Sequence, residues 1–148
     1  MAQRRRLILG LGNRLLGDDG FGAAVVSALR RRGCDASADV RCAGTDLLDE
    51  IETFHRYEEV ILVDAVLGAG TPGTVAVLDE SNFGAWTERS EGAHQMSPLL
   101  AVKIFRRLYP ASATRIRLVA LHSDAIRRTT DVAATAVSAG VDRVEALL

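Results

Sequence analysis

Apolar runs of strand length alternate with amphipathic stretches of helical period along the whole 148-residue chain. Leu7 to Leu11 is a continuous apolar run and predicts the first strand. From about Asp19 to Arg32, Phe21, Val25, Ala28 and Leu29 recur at helical spacing; acids open the stretch, arginines close it and Gly33 stops it. Val40 to Ala43 predicts a short second strand, and Thr45 with Asp46 opens a second helix carrying Leu47, Leu48 and Ile51. Val60 to Val66 is apolar on both faces, as a parallel strand covered on both sides requires, and Asp64 interrupts it near its C-terminal end. Beyond the turn Thr71-Pro72-Gly73, Val75 to Leu78 reads as a short strand near an edge of the sheet. Asp79 to Gln95 reads as a long irregular loop, after which Ser97 and Pro98 supply an N-cap and first helical position for Leu99 to Leu108. Ile116 to Ala120 predicts the last strand. Asp131 to Leu148 predicts a closing amphipathic helix with Val132, Ala136, Val137, Val141, Val144 and Leu148 roughly on one face.

This alternation predicts an α/β fold: one domain over residues 1–148, a three-layer sandwich with a mostly parallel twisted sheet of about five strands and helices on both faces. With 48% hydrophobic residues the chain can bury a real core, and a formal net charge of −1 argues against a dedicated nucleic-acid binder. Arg4-Arg5-Arg6, Arg30-Arg31-Arg32, Arg106-Arg107 and Arg127-Arg128 each fall at an element's edge and read as solvated ends. No stretch has the length of a membrane span or the form of a signal peptide. Cys34 and Cys42 lack metal-knuckle spacing and build no disulfide framework, so a reducing cytoplasm is the expected compartment.

The glycine-rich stretch LILGLGNRLLGDDGFG, residues 7–22, is the first place to look for chemistry. Its glycines approach a phosphate-loop spacing, but Asp18 and Asp19 stand where that loop needs Lys and Ser or Thr, and two carboxylates repel phosphate. Leu15 occupies the place of the third glycine of a dinucleotide fingerprint, which demotes a nucleotide-binding reading. In a doubly wound sheet ligands bind outside the carboxyl ends of the strands, where Asp19 and Asp64 converge and His94 can reach from the long loop. Two carboxylates and an imidazole suit a divalent transition metal with open coordination positions. Plainer roles compete with this one: Asp18 and Asp19 can cap a helix, Asp64 can be a buried acid held by backbone amides, and a loop histidine is commonly a surface residue. His55, at the end of the second helix, and His122, after the last strand, read as structural, with His122 the nearer of the two to the site. No nucleophile elbow occurs. Cys42 reads as a buried strand cysteine that can also border the cleft.

The motifs GLGNRLLGDDGFG, VDAV and AHQMSPLL, in that order, resemble those of the [NiFe]-hydrogenase maturation endopeptidases. The resemblance extends to Gly44-Thr45 and to the closing helix. It implies a protease that removes a C-terminal extension from a hydrogenase large-subunit precursor after nickel insertion. By position Asp19, Asp64 and His94 match the family's metal-contacting residues, which makes them the expected catalytic and metal-binding set. Nickel would arrive with the substrate, and no nucleotide or organic cofactor is expected. The implied partner is the precursor, without nucleic acid or membrane, and the implied state is a monomer. Relatives often carry an acid two positions before the Gly-Thr turn, where this chain has Cys42, so partner specificity does not carry over. A non-catalytic nickel-sensing or chaperone-like module docking on the same precursor is the alternative.

Overall fold

The computed structural model describes residues 6–12, 20–43, 47–67, 71–85, 97–123 and 132–148. Strands β1 (Arg6–Gly10), β2 (Asp39–Cys42), β3 (Glu59–Leu67), β4 (Val75–Asp79) and β5 (Arg115–Ser123) form one sheet in the order β2-β1-β3-β5-β4. The first four in that order run parallel, and β4 pairs antiparallel with β5 at the edge. Helices α1 (Phe21–Arg31) and α4 (Ala134–Leu147) cover one face, and α2 (Leu47–Ile51) with α3 (Pro98–Leu108) covers the other. This is the expected three-layer α/β sandwich.

The period of two along β3 explains the two cores. Ile61, Val63 and Ala65 join Phe21, Val25, Leu29, Val141 and Val144 on the α1/α4 side. Val60, Leu62 and Val66 join Ile51, Phe54, Leu99, Val102 and Phe105 on the α2/α3 side. Both sets are buried, as the uninterrupted apolar run requires. Asp64 has the parity of Leu62 and Val66, so its carboxylate belongs to the α2/α3 layer.

Several boundaries differ from those the pattern predicts. The last strand runs on to Ser123, which places His122 inside β5 rather than after it. The stretch after β4 is not loop throughout, because Glu80–Ala85 winds into 3-10 turns. His55 lies in a separate 3-10 turn, Phe54–Arg56, beyond α2. The first turn of α1 contains no acid: Gly20 precedes it without a side-chain cap, and Asp18 and Asp19 lie outside the described residues. Cys42 is exposed rather than buried, since β2 is an outer strand and Cys42 is its last residue. Leu48 is exposed too, on the outer side of the short α2.

Arg106 is not a solvated end. Its guanidinium reaches Glu80 at 2.6 Å and donates to the Ser112 and Thr114 carbonyls at 2.9 and 2.5 Å. Hydrogen bonding to Glu80 raises its pKa further above the usual arginine value. Arg117 Nη2 meets both Glu59 carboxylate oxygens at 2.7 Å, and Thr114 Oγ1 donates to the Tyr57 carbonyl at 2.7 Å. These bonds tie the N-terminal ends of β3 and β5 to α3 and to the edge strand.

The opposite end is set by a backbone contact. After β1 the chain visits β2 on one side and then crosses to β3 on the other, so the strand order reverses between β1 and β3. There the first turn of α1 lies on the strand ends. A Cβ on Gly22 would stand 2.5 Å from the Val63 carbonyl oxygen and inside contact range of the Leu11 carbonyl. Gly10 meets Gly22 in the same way, its added Cβ falling 2.6 Å from the Gly22 oxygen. Only hydrogen fits at either position, and the obstructing atoms are backbone that cannot swing aside. Gly22→Ala is therefore expected to destabilise the protein by about 1–3 kcal/mol through overpacking, read as a lower denaturation midpoint in urea.

Candidate functional site at the strand switch

Asp64 occupies the sheet end where ligands of open α/β folds bind, beside the β1/β3 reversal. It is 2% exposed and pairs in register with Ala120 of β5. Its Oδ1 accepts the backbone N–H of Ala65 at 2.8 Å, a local bond that fixes the carboxylate near the strand axis. Apolar neighbours surround it along β3 and β5, and a carboxylate in such a setting needs compensation by hydrogen bonds or a cation.

Asp19 and His94 lie outside the described residues, so their approach to Asp64 is not part of the observed geometry. The flanking described residues show where the chain re-enters the fold on either side. Gly20, next after Asp19, is buried as the N-cap of α1, whose first turn rests on the ends of β1 and β3. Ser97, three residues after His94, is 8% exposed and caps α3 by accepting the Leu100 N–H at 3.1 Å, with Pro98 at the first helical position as expected. Leu108 ends α3 and only a short connection precedes Arg115, which begins β5. The C-terminus of α3 therefore lies at the start of β5, and its N-terminus at the Asp64 end.

His122 was expected to be structural, and the structure brings it to the same place. It pairs with Val66, two residues beyond the Asp64–Ala120 pair, and shares their α2/α3 face by parity. The side chain is 9% exposed, and its Nδ1 is buried without a hydrogen-bond partner among the described residues. A buried polar atom left unpaired costs on the order of 1–3 kcal/mol. The sequence signal for it was the polar pair His122-Ser123 closing an apolar run, the counterpart of Asp64 in β3. Arg117 Nε is the other such atom, but it lies at the far end of the sheet in a guanidinium already held by Glu59.

Among the described residues no three His, Cys, Asp or Glu side chains gather closely enough to hold a metal. Among the described residues Asp64 and His122 are the donors that share the α2/α3 face of β3 and β5 at this end. His55 is remote from them: it stacks on Tyr109 at 4.4 Å between ring centroids and lines a groove of about 630 Å³ with Tyr57, Leu108 and Thr114, at the start of β3 and β5. Cys42 ends β2 at the site's end of the sheet but on the outer strand. Cys34 lies behind α1, where burial, ahead of the nearby Glu145 carboxylate, pushes its thiol pKa up and leaves it a poor nucleophile. No described helix is long and apolar enough to cross a membrane.

Comparisons with known proteins bear on the family and fold of the chain. Residues 23–139 match the family profile described as HycI, hydrogenase maturation protease. A Methanocaldococcus jannaschii protein carrying the hydrogenase maturation protease designation is 33% identical over 103 residues, 65% of this chain and 64% of that protein. The hydrogenase expression/formation protein HupD of Rhizobium leguminosarum bv. viciae is 28% identical over 120 residues, 76% of this chain and 57% of its own length. The chain thus spans about three fifths of these two relatives. Among solved structures, the hydrogenase maturating endopeptidase HybD from E. coli superposes with a TM-score of 0.76 at 21% identity, covering 97% of this chain and 91% of that one. Identity at that level speaks to the fold alone.

The capping bond of Ser97 gives a direct test of how the α3 entrance is held. Ser97→Ala removes the acceptor for the Leu100 N–H and is expected to cost about 1 kcal/mol of stability, measured by thermal or urea unfolding.

Proposed function

As the chain belongs to the hydrogenase maturation protease family, we propose that it is a peptidase that removes the C-terminal extension of a [NiFe]-hydrogenase large-subunit precursor after nickel insertion. Asp19, Asp64 and His94 read the nickel, which arrives with the substrate. The observation that carries this reading is the buried Asp64, at the ligand-binding end of the central strand and next to the strand reversal. A carboxylate fixed by its neighbour's N–H and shielded from water is a preformed oxygen donor, and it gains from a cation what it loses in hydration.

The donor chemistry suits the cargo. Carboxylate and imidazole ligands accept divalent first-row metals, and nickel stands above iron and cobalt in intrinsic affinity, so geometry must supply any further selectivity. Bound nickel would polarise a nearby scissile carbonyl or acidify a water. The protein's own part is to hold the loaded precursor at the β1/β3 end and to place a carboxylate where it can take a proton from the attacking water. Cleavage would then follow only when the metal is in place. We assign this work to the cytoplasm and to a monomer, with no resident organic cofactor.

The test is incubation of the purified chain with a nickel-loaded precursor and with its nickel-free form, the C-terminus being read by intact mass. Shortening of the loaded form alone is the expected result. Complex formation without cleavage would favour a nickel-sensing module instead. Asp64→Asn keeps the volume and removes the charge, so it is expected to lower processing by about 10²-fold or more while the circular dichroism spectrum stays unchanged. Full processing by Asp64→Asn would remove Asp64 from the mechanism.

A further inference from the structure

We infer that His122 is a further metal donor of this site, its Nδ1 joining the Asp64 carboxylate on a divalent transition-metal ion. The inference rests on the function proposed above but adds a residue outside Asp19, Asp64 and His94.

Three observations carry it. His122 and Asp64 lie on adjacent parallel strands and on the same face, offset diagonally by two residues, Asp64 facing Ala120 and His122 facing Val66. Side chains so placed on neighbouring strands are within reach of a shared small ligand. The His122 backbone is fixed from both sides: its N–H donates to the Thr74 carbonyl and its own carbonyl accepts from the Gly73 N–H, each at 2.8 Å. The ring is therefore carried by a rigid strand end rather than by a loop. Finally, Nδ1 is buried and unpartnered among the described residues, although the ring is only 9% exposed. A ring nitrogen left without a partner is available to a cation, and imidazole bonds metals through either ring nitrogen.

A purely structural histidine would fill the same space without binding a metal. The two roles separate in a binding experiment on the untagged full-length chain, titrated with Ni²⁺ alone by calorimetry and followed in parallel by thermal melting. The wild-type chain is expected to bind one equivalent. His122→Leu should weaken that binding at least about tenfold without lowering the melting temperature, because it replaces an unpaired polar atom by carbon in the same space. His55→Ala, at the far end of the sheet, should bind as wild type. If His122→Leu does not fold, His122→Gln, which keeps a polar side chain of similar length but no imidazole, takes its place with the same expected loss. Nickel binding by the His122 variant equal to wild type would overturn the proposal, and so would the absence of nickel binding by the wild-type chain. The proposed function is judged separately, by cleavage of the loaded precursor. Cleavage with normal binding by the His122 variant would remove this residue alone, whereas no cleavage of cognate precursors would remove the reading beneath it.

Discussion

The close approach of backbone to backbone at Gly10 and Gly22 is the constraint from which the rest of this molecule follows. Where strand order reverses between β1 and β3, α1 must begin directly on the ends of both strands, and two facing glycines let it do so. The Leu11 N–H continues the ladder to the Val63 carbonyl at 2.8 Å, so the glycine contact and the strand pairing reinforce one another. The helix start is thereby pinned beside the residue that precedes Asp64. A side chain at either glycine would lift α1 away from the ends of β1 and β3.

The two ends of the sheet are built on different principles. At the N-terminal end, charged and polar groups find partners within the fold: Arg117 on Glu59, Arg106 on Glu80 and two carbonyls, Thr114 on the Tyr57 carbonyl. Exposure of the Arg106 and Glu80 side chains near 30% keeps the stabilisation from that pair modest. At the C-terminal end, Asp64 and the unpartnered Nδ1 of His122 interrupt two strands that are otherwise apolar. A buried ring nitrogen without a partner is costly to leave unpaired.

The architecture was legible because a doubly covered parallel strand must be apolar at every position, and the run from Val60 to Val66 had that form. Ser97-Pro98 announced α3 by local chemistry, an acceptor for a free N–H followed by the one residue that has none to satisfy. Asp64 was legible for the complementary reason, as a charge where the pattern forbids one. His122 was assigned outside its strand because strand ends carry no local signal: β5 extends to Ser123 only since β3 and β4 both offer partners there. Arg106 was misjudged as solvated because its partner Glu80 lies 26 residues away and comes near only when β4 closes the sheet edge. Cys42 has the apolar setting of a buried residue in sequence, yet β2 is the outer strand.

The sequence by itself determined the alternation of strands and helices, the face each strand residue takes and the carboxylate in the central strand, since these depend on period, capping and the cost of a buried charge. Only the tertiary structure decided the strand order, the antiparallel edge and the placement of Asp64 and His122 on one face of adjacent strands. Those depend on which distant strands become neighbours, and the shared face of residues 64 and 122 leaves no trace in the local pattern around either one.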